Sequence, residues 1–115
     1  MDSARVSRPA SRAITDADEL CVSDITWSEL AWLATHERIS VTLPVVSWLG
    51  QLAAQVRTLP VTPAIASAAA ALPSTFPGDP ADRLIYATTL ETGLRLVTKD
   101  ERLRAYRAPR PVTIW

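Results

Sequence analysis

The stretch that decides the fold is FPGDPADRLIYATTLETGLRLVTKDERLRAY, residues 76–106. Phe76-Pro77-Gly78 interrupts whatever precedes it, because proline and glycine punctuate regular structure. Asp79 followed by Pro80 marks a helix start: a short carboxylate accepts from an unpaired first-turn amide, and proline's fixed φ suits the first helical position. That helix is predicted to run to Gly93, a residue type that tolerates the left-handed turn closing many helices. Residues 94–98 (LRLVT) read as a strand and 100–106 as a short helix. A helix feeding a strand that exits into another helix is the repeating unit of an α/β sheet.

The alternation continues upstream. Residues 20–25 (LCVSDI) are strand formers in a run too short for a helix, and read as a buried strand. Thr26-Trp27-Ser28-Glu29 has the spacing of a capping box, in which hydroxyl and carboxylate reciprocally satisfy two helix-start amides. The helix so opened puts Trp27, Leu30, Ala31 and Ala34 on one stripe and Glu29, Leu33 and His36 on another side. Pro44 starts a second helix reaching to about residue 57, with Val45, Leu49, Leu52 and Val56 spaced by three and four, so the pair forms a helical hairpin. Residues 59–62 read as an edge strand, since Pro60 lacks the amide donor of a central one. Pro63 opens an alanine-rich helix that ends before Pro73, a short helix over 9–19 leads the chain, and a strand over 112–115 closes it. One α/β domain with a mainly parallel sheet, spanning residues 1–115, is expected.

Composition narrows the function classes. A chain of 115 residues and 12.5 kDa folds to roughly 6,200 Å² of accessible surface from roughly 18,000 Å² unfolded, enough for one core. Hydrophobic residues at 48% and charged residues at 21% exclude a disordered or fibrous chain. Twelve basic and twelve acidic side chains cancel, so no global field holds a polyanion, and nucleic-acid contact must be local. Arg95, Lys99, Arg102, Arg104, Arg107 and Arg110 crowd the C-terminal end; guanidinium groups bind phosphate in pairs of hydrogen bonds, though a run of charge is more often a solvated surface. Cys21 is alone and forms no internal disulfide. Arg5, Arg8 and Arg12 lack the apolar run of a secretory signal, and Pro44 and Gly50 break the longest uncharged stretch, so a cytoplasmic protein without a membrane span is expected.

Ligands of open α/β sheets sit beyond the carboxyl ends of the strands, and chain direction alone brings three acids to that edge. Glu29 lies early in the helix after strand 20–25. Asp82 lies in the first turn of the helix running antiparallel to strand 94–98, and Asp100 follows that strand directly. Crowded carboxylates repel one another and need a cation to stay ionised. Magnesium, with manganese as its substitute, is the hard oxygen-seeking ion that works through a few carboxylates and a substrate phosphate. One Cys and one His cannot build a zinc site. Each acid also has a plainer duty: Glu29 closing the capping box, Asp82 and Asp100 satisfying helix starts. His36 reads as a surface residue, and Trp27, Trp32 and Trp48 as core or interface.

With these residues in view, 76–106 closely resembles the signature half of PIN-domain ribonuclease toxins of the VapC type, where a DPxDR helix start and a TKD strand exit carry two metal-binding acids. DELCVSDITWSELAWL (18–33) is similar to the family's strand and helix bearing its glutamate, and LPVTPAIA (59–66) to its edge strand and following helix. The resemblance covers roughly residues 8–115 and implies a three-layer α/β/α fold and a magnesium-dependent endoribonuclease. By it, Glu29, Asp82 and Asp100 hold the metal, Thr98 supports the metal or its water, Arg83 orients the site, and Asp79 is a helix cap. Lys99, Arg102 and Arg104 would place the RNA backbone. It further implies an antitoxin partner docked on the helical hairpin, where Arg57 is the one charged residue between 39 and 78, and a homodimer to which Trp48 contributes. The front departs from the pattern: MDSARVSRPA holds neither the family's first, central strand nor its terminal aspartate, and Asp2 cannot substitute, as a start assigned downstream or a decayed gene would produce. Two alternatives stay open: an inactive remnant that only binds antitoxin or dimerises, and a non-catalytic RNA-binding domain using the C-terminal arginines.

Overall fold

The computed structural model describes residues 6–107 and 109–115, so Asp2 and Arg5 lie outside the described residues. Among the described residues, helices and short strands follow in the order α1 (Arg8–Asp16), β1 (Cys21–Ser23), α2 (Ile25–Thr35), α3 (Val45–Ala53), β2 (Arg57–Leu59), α4 (Pro63–Ala71), α5 (Pro80–Thr92), β3 (Leu96–Val97), α6 (Glu101–Ala105) and β4 (Thr113–Ile114). β1 pairs with β2 and β3 with β4, both in parallel. The two pairs stay separate sheets. An α/β fold with parallel strands is what the alternation implied.

α5 is the element around which the rest packs. Asp79 caps it, accepting from the Asp82 amide at 2.8 Å while the Asp82 carboxylate accepts from the Asp79 amide at 3.1 Å. Gly93 ends it at φ 74°, a left-handed conformation that costs a side-chain-bearing residue about 1–2 kcal/mol. On one side Tyr86 joins Phe76, Leu103 and Val112; on the other Ala87 joins Ile65 and Ala69 of α4.

Several expectations are corrected. The capping box over 26–29 does not form: α2 starts earlier, at Ile25, with Asp24 as a cap residue whose side chain makes no capping bond. The Asp24 carboxylate instead accepts from the Val61 amide at 3.2 Å, because β1 passes straight into α2 beside the turn after β2. β2 forms over residues 57–59 rather than 59–62, leaving Pro60 outside the ladder and its missing donor without consequence. Strand β1 is not buried throughout: only Ser23 is, with Cys21 and Val22 half-buried, since among the described residues it pairs with β2 alone. α2 buries none of its residues fully, although Trp27 ties it to β2 by donating to Thr58 Oγ1 at 3.0 Å.

Candidate active site

Glu29, Asp82 and Asp100 come from α2, α5 and the start of α6, and electrostatics links them in a row. Desolvation raises the Glu29 carboxyl above the ordinary range, followed by the negative charges of Asp79 and Asp82. Desolvation likewise leads for Asp82, whose carboxyl is raised further by Asp79 and Asp100 and partly relieved by the Asp79 backbone bond. Asp82 thus bears electrostatically on Glu29 and is itself acted on by Asp100. Asp100 behaves oppositely: its hydrogen bonds from the Arg102 side chain, against a smaller desolvation effect, hold its carboxyl below the usual range.

The three do not form a closed cage. Among the described residues no three His, Cys, Asp or Glu side chains are close enough to hold one ion together. Local duties explain the spacing. Asp82 is tied to the Asp79 amide, and Asp100 accepts from the amides of Arg102 and Leu103 at 2.9 and 3.3 Å and from Arg102 Nη2 at 3.1 Å. Glu29, by contrast, has lost its expected capping role, because α2 begins four residues before it and has no acid in its first turn. An all-oxygen set with raised carboxyls fits a hard cation held by one or two carboxylates and water, and fits a thiol- or imidazole-seeking ion poorly.

The neighbouring candidates divide. Thr98 Oγ1 accepts from the Asp100 amide at 3.2 Å, fixing the turn that carries that acid. Arg83 donates to the carbonyls of Ala69, Leu72 and Pro73 at 3.1, 2.9 and 2.9 Å. It therefore clasps the end of α4 to the start of α5, and bears on the site by fixing the helix that holds Asp82. Lys99 and Arg102 are exposed and Arg104 is half-buried, all close in sequence to Asp100.

Sequence reasoning missed Gly78, which it read only as a loop residue. A β-carbon there would collide with Asp82 Cβ and lie 2.8 Å from a Phe76 ring carbon and 3.0 Å from Asp82 Oδ2. Gly78 lets the incoming chain pass against the acid. Gly78→Ala is expected to displace Asp82, costing about 1–3 kcal/mol of stability as overpacking does. An unchanged unfolding midpoint in the variant would remove Gly78 from this role.

The PIN domain family model matches residues 4–109. The chain belongs to the PIN domain family. It is 65% identical over 111 residues to "Ribonuclease VapC22" of Mycobacterium tuberculosis, covering 96% of this chain and 85% of that protein. Its fold is also that of a chain in a toxin-antitoxin complex from Klebsiella pneumoniae, with TM-score 0.66 at 20% identity, covering 96% of this chain and 85% of that one.

Proposed function

We propose that this protein is the toxin of a toxin-antitoxin pair and an endoribonuclease that hydrolyses RNA phosphodiester bonds with the help of magnesium. The observation that carries the site assignment is the electrostatic row Glu29–Asp82–Asp100, in which burial raises the Glu29 and Asp82 carboxyls, followed by Asp79 and Asp82 acting on Glu29 and Asp79 and Asp100 acting on Asp82. These three residues would hold the ion, which when bound acidifies water and stabilises charge on the leaving oxygen of a phosphodiester. Thr98 and Arg83 are positioning residues, the first for Asp100 and the second for the start of α5. Lys99, Arg102 and Arg104 lie beside the rim and place the phosphate backbone by charge. Arg102 pairs with Asp100 through its guanidinium, a bond it would exchange for phosphate if Asp100 held the ion. No described helix is long and apolar enough to cross a membrane; a cytoplasmic location is part of this proposal.

The metal assignment is checked without activity. Glu29 and Asp82 have folded pKa values raised above the ordinary carboxylate range, so their contribution to stability is whole below that range and is lost as pH rises through the raised values. A cation at the rim offsets that loss. Magnesium at about ten times its dissociation constant should add about 1.4 kcal/mol at pH 7.5, read as a rise in Tm, and the rise should fade as pH falls through the raised values. A magnesium increment independent of pH, or none at all, contradicts the assignment.

The antitoxin is assigned to the hairpin α2–α3. Val46 is 79% exposed, Trp32 50% and Leu43 40%, an apolar surface of the kind that takes a partner's helix or extended segment. Self-association through half-buried Trp48 is the competing use of the same hairpin. Val46→Asp should weaken antitoxin binding about tenfold or more, as burying an unpaired charge does, while leaving Tm unchanged because the side chain is solvent-facing. A titration of the antitoxin against both proteins decides it.

A further inference from the structure

Asp100 divides its two carboxylate oxygens between two tasks. Oδ1 accepts from the backbone amides of Arg102 and Leu103 at 2.9 and 3.3 Å, which caps α6, and from Arg102 Nε at 3.4 Å. Oδ2 takes no part in the cap: among the described residues it accepts only from Arg102 Nη2, at 3.1 Å. The guanidinium therefore covers the one oxygen that the helix start leaves to a cation. The charges of Asp82 and Asp79 also act on it, so it offsets part of the acidic row and not Asp100 alone.

This cover is held lightly. The Arg102 side chain is 63% exposed and that of Asp100 30%, and in such a pair water competes for both charges while a long side chain must be held in one place. The guanidinium can leave without stranding a buried charge. A phosphate offers it the same paired oxygens that a carboxylate does, so a nucleic-acid backbone passing Asp100 can take Arg102 over. Oδ1 stays with the cap when this happens, because its amide donors belong to the backbone of α6 and do not move with the side chain.

We propose that Arg102 couples the binding of the ion to the binding of the polynucleotide: paired with Asp100 Oδ2 it keeps a hard cation weakly bound, and a backbone phosphate that draws it off frees that oxygen for the ion. The inference rests on the reading of Asp100 as a metal ligand. Linkage makes the effect reciprocal, so the ion raises affinity for the polynucleotide by the same factor. The sign is distinctive, because added salt by itself weakens the hold of basic side chains on a polyanion.

The experiment is a calorimetric titration of magnesium into the full chain, alone and with a saturating single-stranded DNA oligonucleotide, whose uncharged methylphosphonate copy is the control. It compares the unaltered protein with Arg102→Gln, which keeps the backbone amide that caps α6, and with Arg107→Gln, which removes the same charge from an exposed position beyond that helix. Without nucleic acid, Arg102→Gln should bind magnesium about threefold more tightly than the unaltered protein, within the range of an exposed ion pair, and Arg107→Gln less than about 1.5-fold more tightly. The charged oligonucleotide should tighten magnesium binding about threefold in the unaltered protein and less than about 1.5-fold in Arg102→Gln, and the methylphosphonate copy should do so in neither. Unaltered affinity in Arg102→Gln, with magnesium bound by both proteins, overturns the proposal and leaves the metal site standing. An equal gain in Arg107→Gln reduces the effect to net charge, and an equal oligonucleotide effect in Arg102→Gln assigns the coupling to an ion that bridges directly to phosphate; either overturns it. Absence of magnesium binding in all three proteins overturns the metal reading itself and this inference with it.

Discussion

Asp82→Asn is expected to lower magnesium-dependent RNA cleavage by at least about 100-fold, the scale on which one preorganised electrostatic group acts, while the protein stays folded. The side chain has two duties, and the substitution separates them. As the third residue of α5 it accepts from the Asp79 amide at 3.1 Å, a duty an asparagine carbonyl performs about as well. As the middle member of the acidic row it supplies negative charge between Glu29 and Asp100, which asparagine lacks. Stability should therefore change by less than about 1 kcal/mol, and the magnesium-induced rise in Tm should disappear with the activity. Asp79→Asn is the contrasting variant: it removes the same charge from the same helix start and keeps the cap, yet should retain most of the cleavage. If Asp79→Asn lost as much activity as Asp82→Asn, the assignment of cap and ligand along DPAD would have to be exchanged or shared.

How far the sequence foretold this site depended on whether its signals were local. Both ends of α5 were legible because each is set by adjacent residues: Asp79-Pro80 at one, a glycine at φ 74° at the other. Chain direction in a parallel fold needs no side-chain detail, and on it alone Glu29, Asp82 and Asp100 were expected on one rim. Failures came where a partner distant in sequence decided. Asp24 is drawn to the Val61 amide, 37 residues away, so the spacing at 26–29 that promised a capping box has no helix start to act on. The resemblance implied that Arg83 orients the site; what sequence could not give is its partners, the carbonyls at the end of α4 that its guanidinium joins to the start of α5. The three acids were expected to share an ion at once; the structure shows Asp82 and Asp100 each engaged by its own helix start. Gly78 carried no signal at all, because its importance lies in a contact with Asp82 that only the folded turn creates.

The largest loss of stability is expected from Tyr86→Ala. Tyr86 has no solvent exposure, and its ring meets Phe76 at 5.1 Å and Tyr106 at 5.5 Å, both edge-on, while those two rings meet each other at 5.0 Å. Truncating a buried aromatic to alanine costs about 3–5 kcal/mol, against a total of about 5–15 kcal/mol for a domain, so the variant should be largely unfolded at body temperature or close to it. Tyr86→Phe keeps the ring and removes a hydroxyl that donates to the Tyr106 carbonyl at 3.4 Å, and should cost under about 1.5 kcal/mol. The two variants are compared by urea unfolding, and similar midpoints would contradict the packing. The position of this trio makes the loss more than a matter of stability. Phe76 precedes α5, Tyr86 lies within it and Tyr106 ends α6, so the three rings fasten the helix that carries Asp82 to the helix that Asp100 caps. At low temperature, where Tyr86→Ala keeps a folded population, its magnesium increment in Tm should be smaller than that of Tyr86→Phe, because the two acids no longer hold a fixed separation.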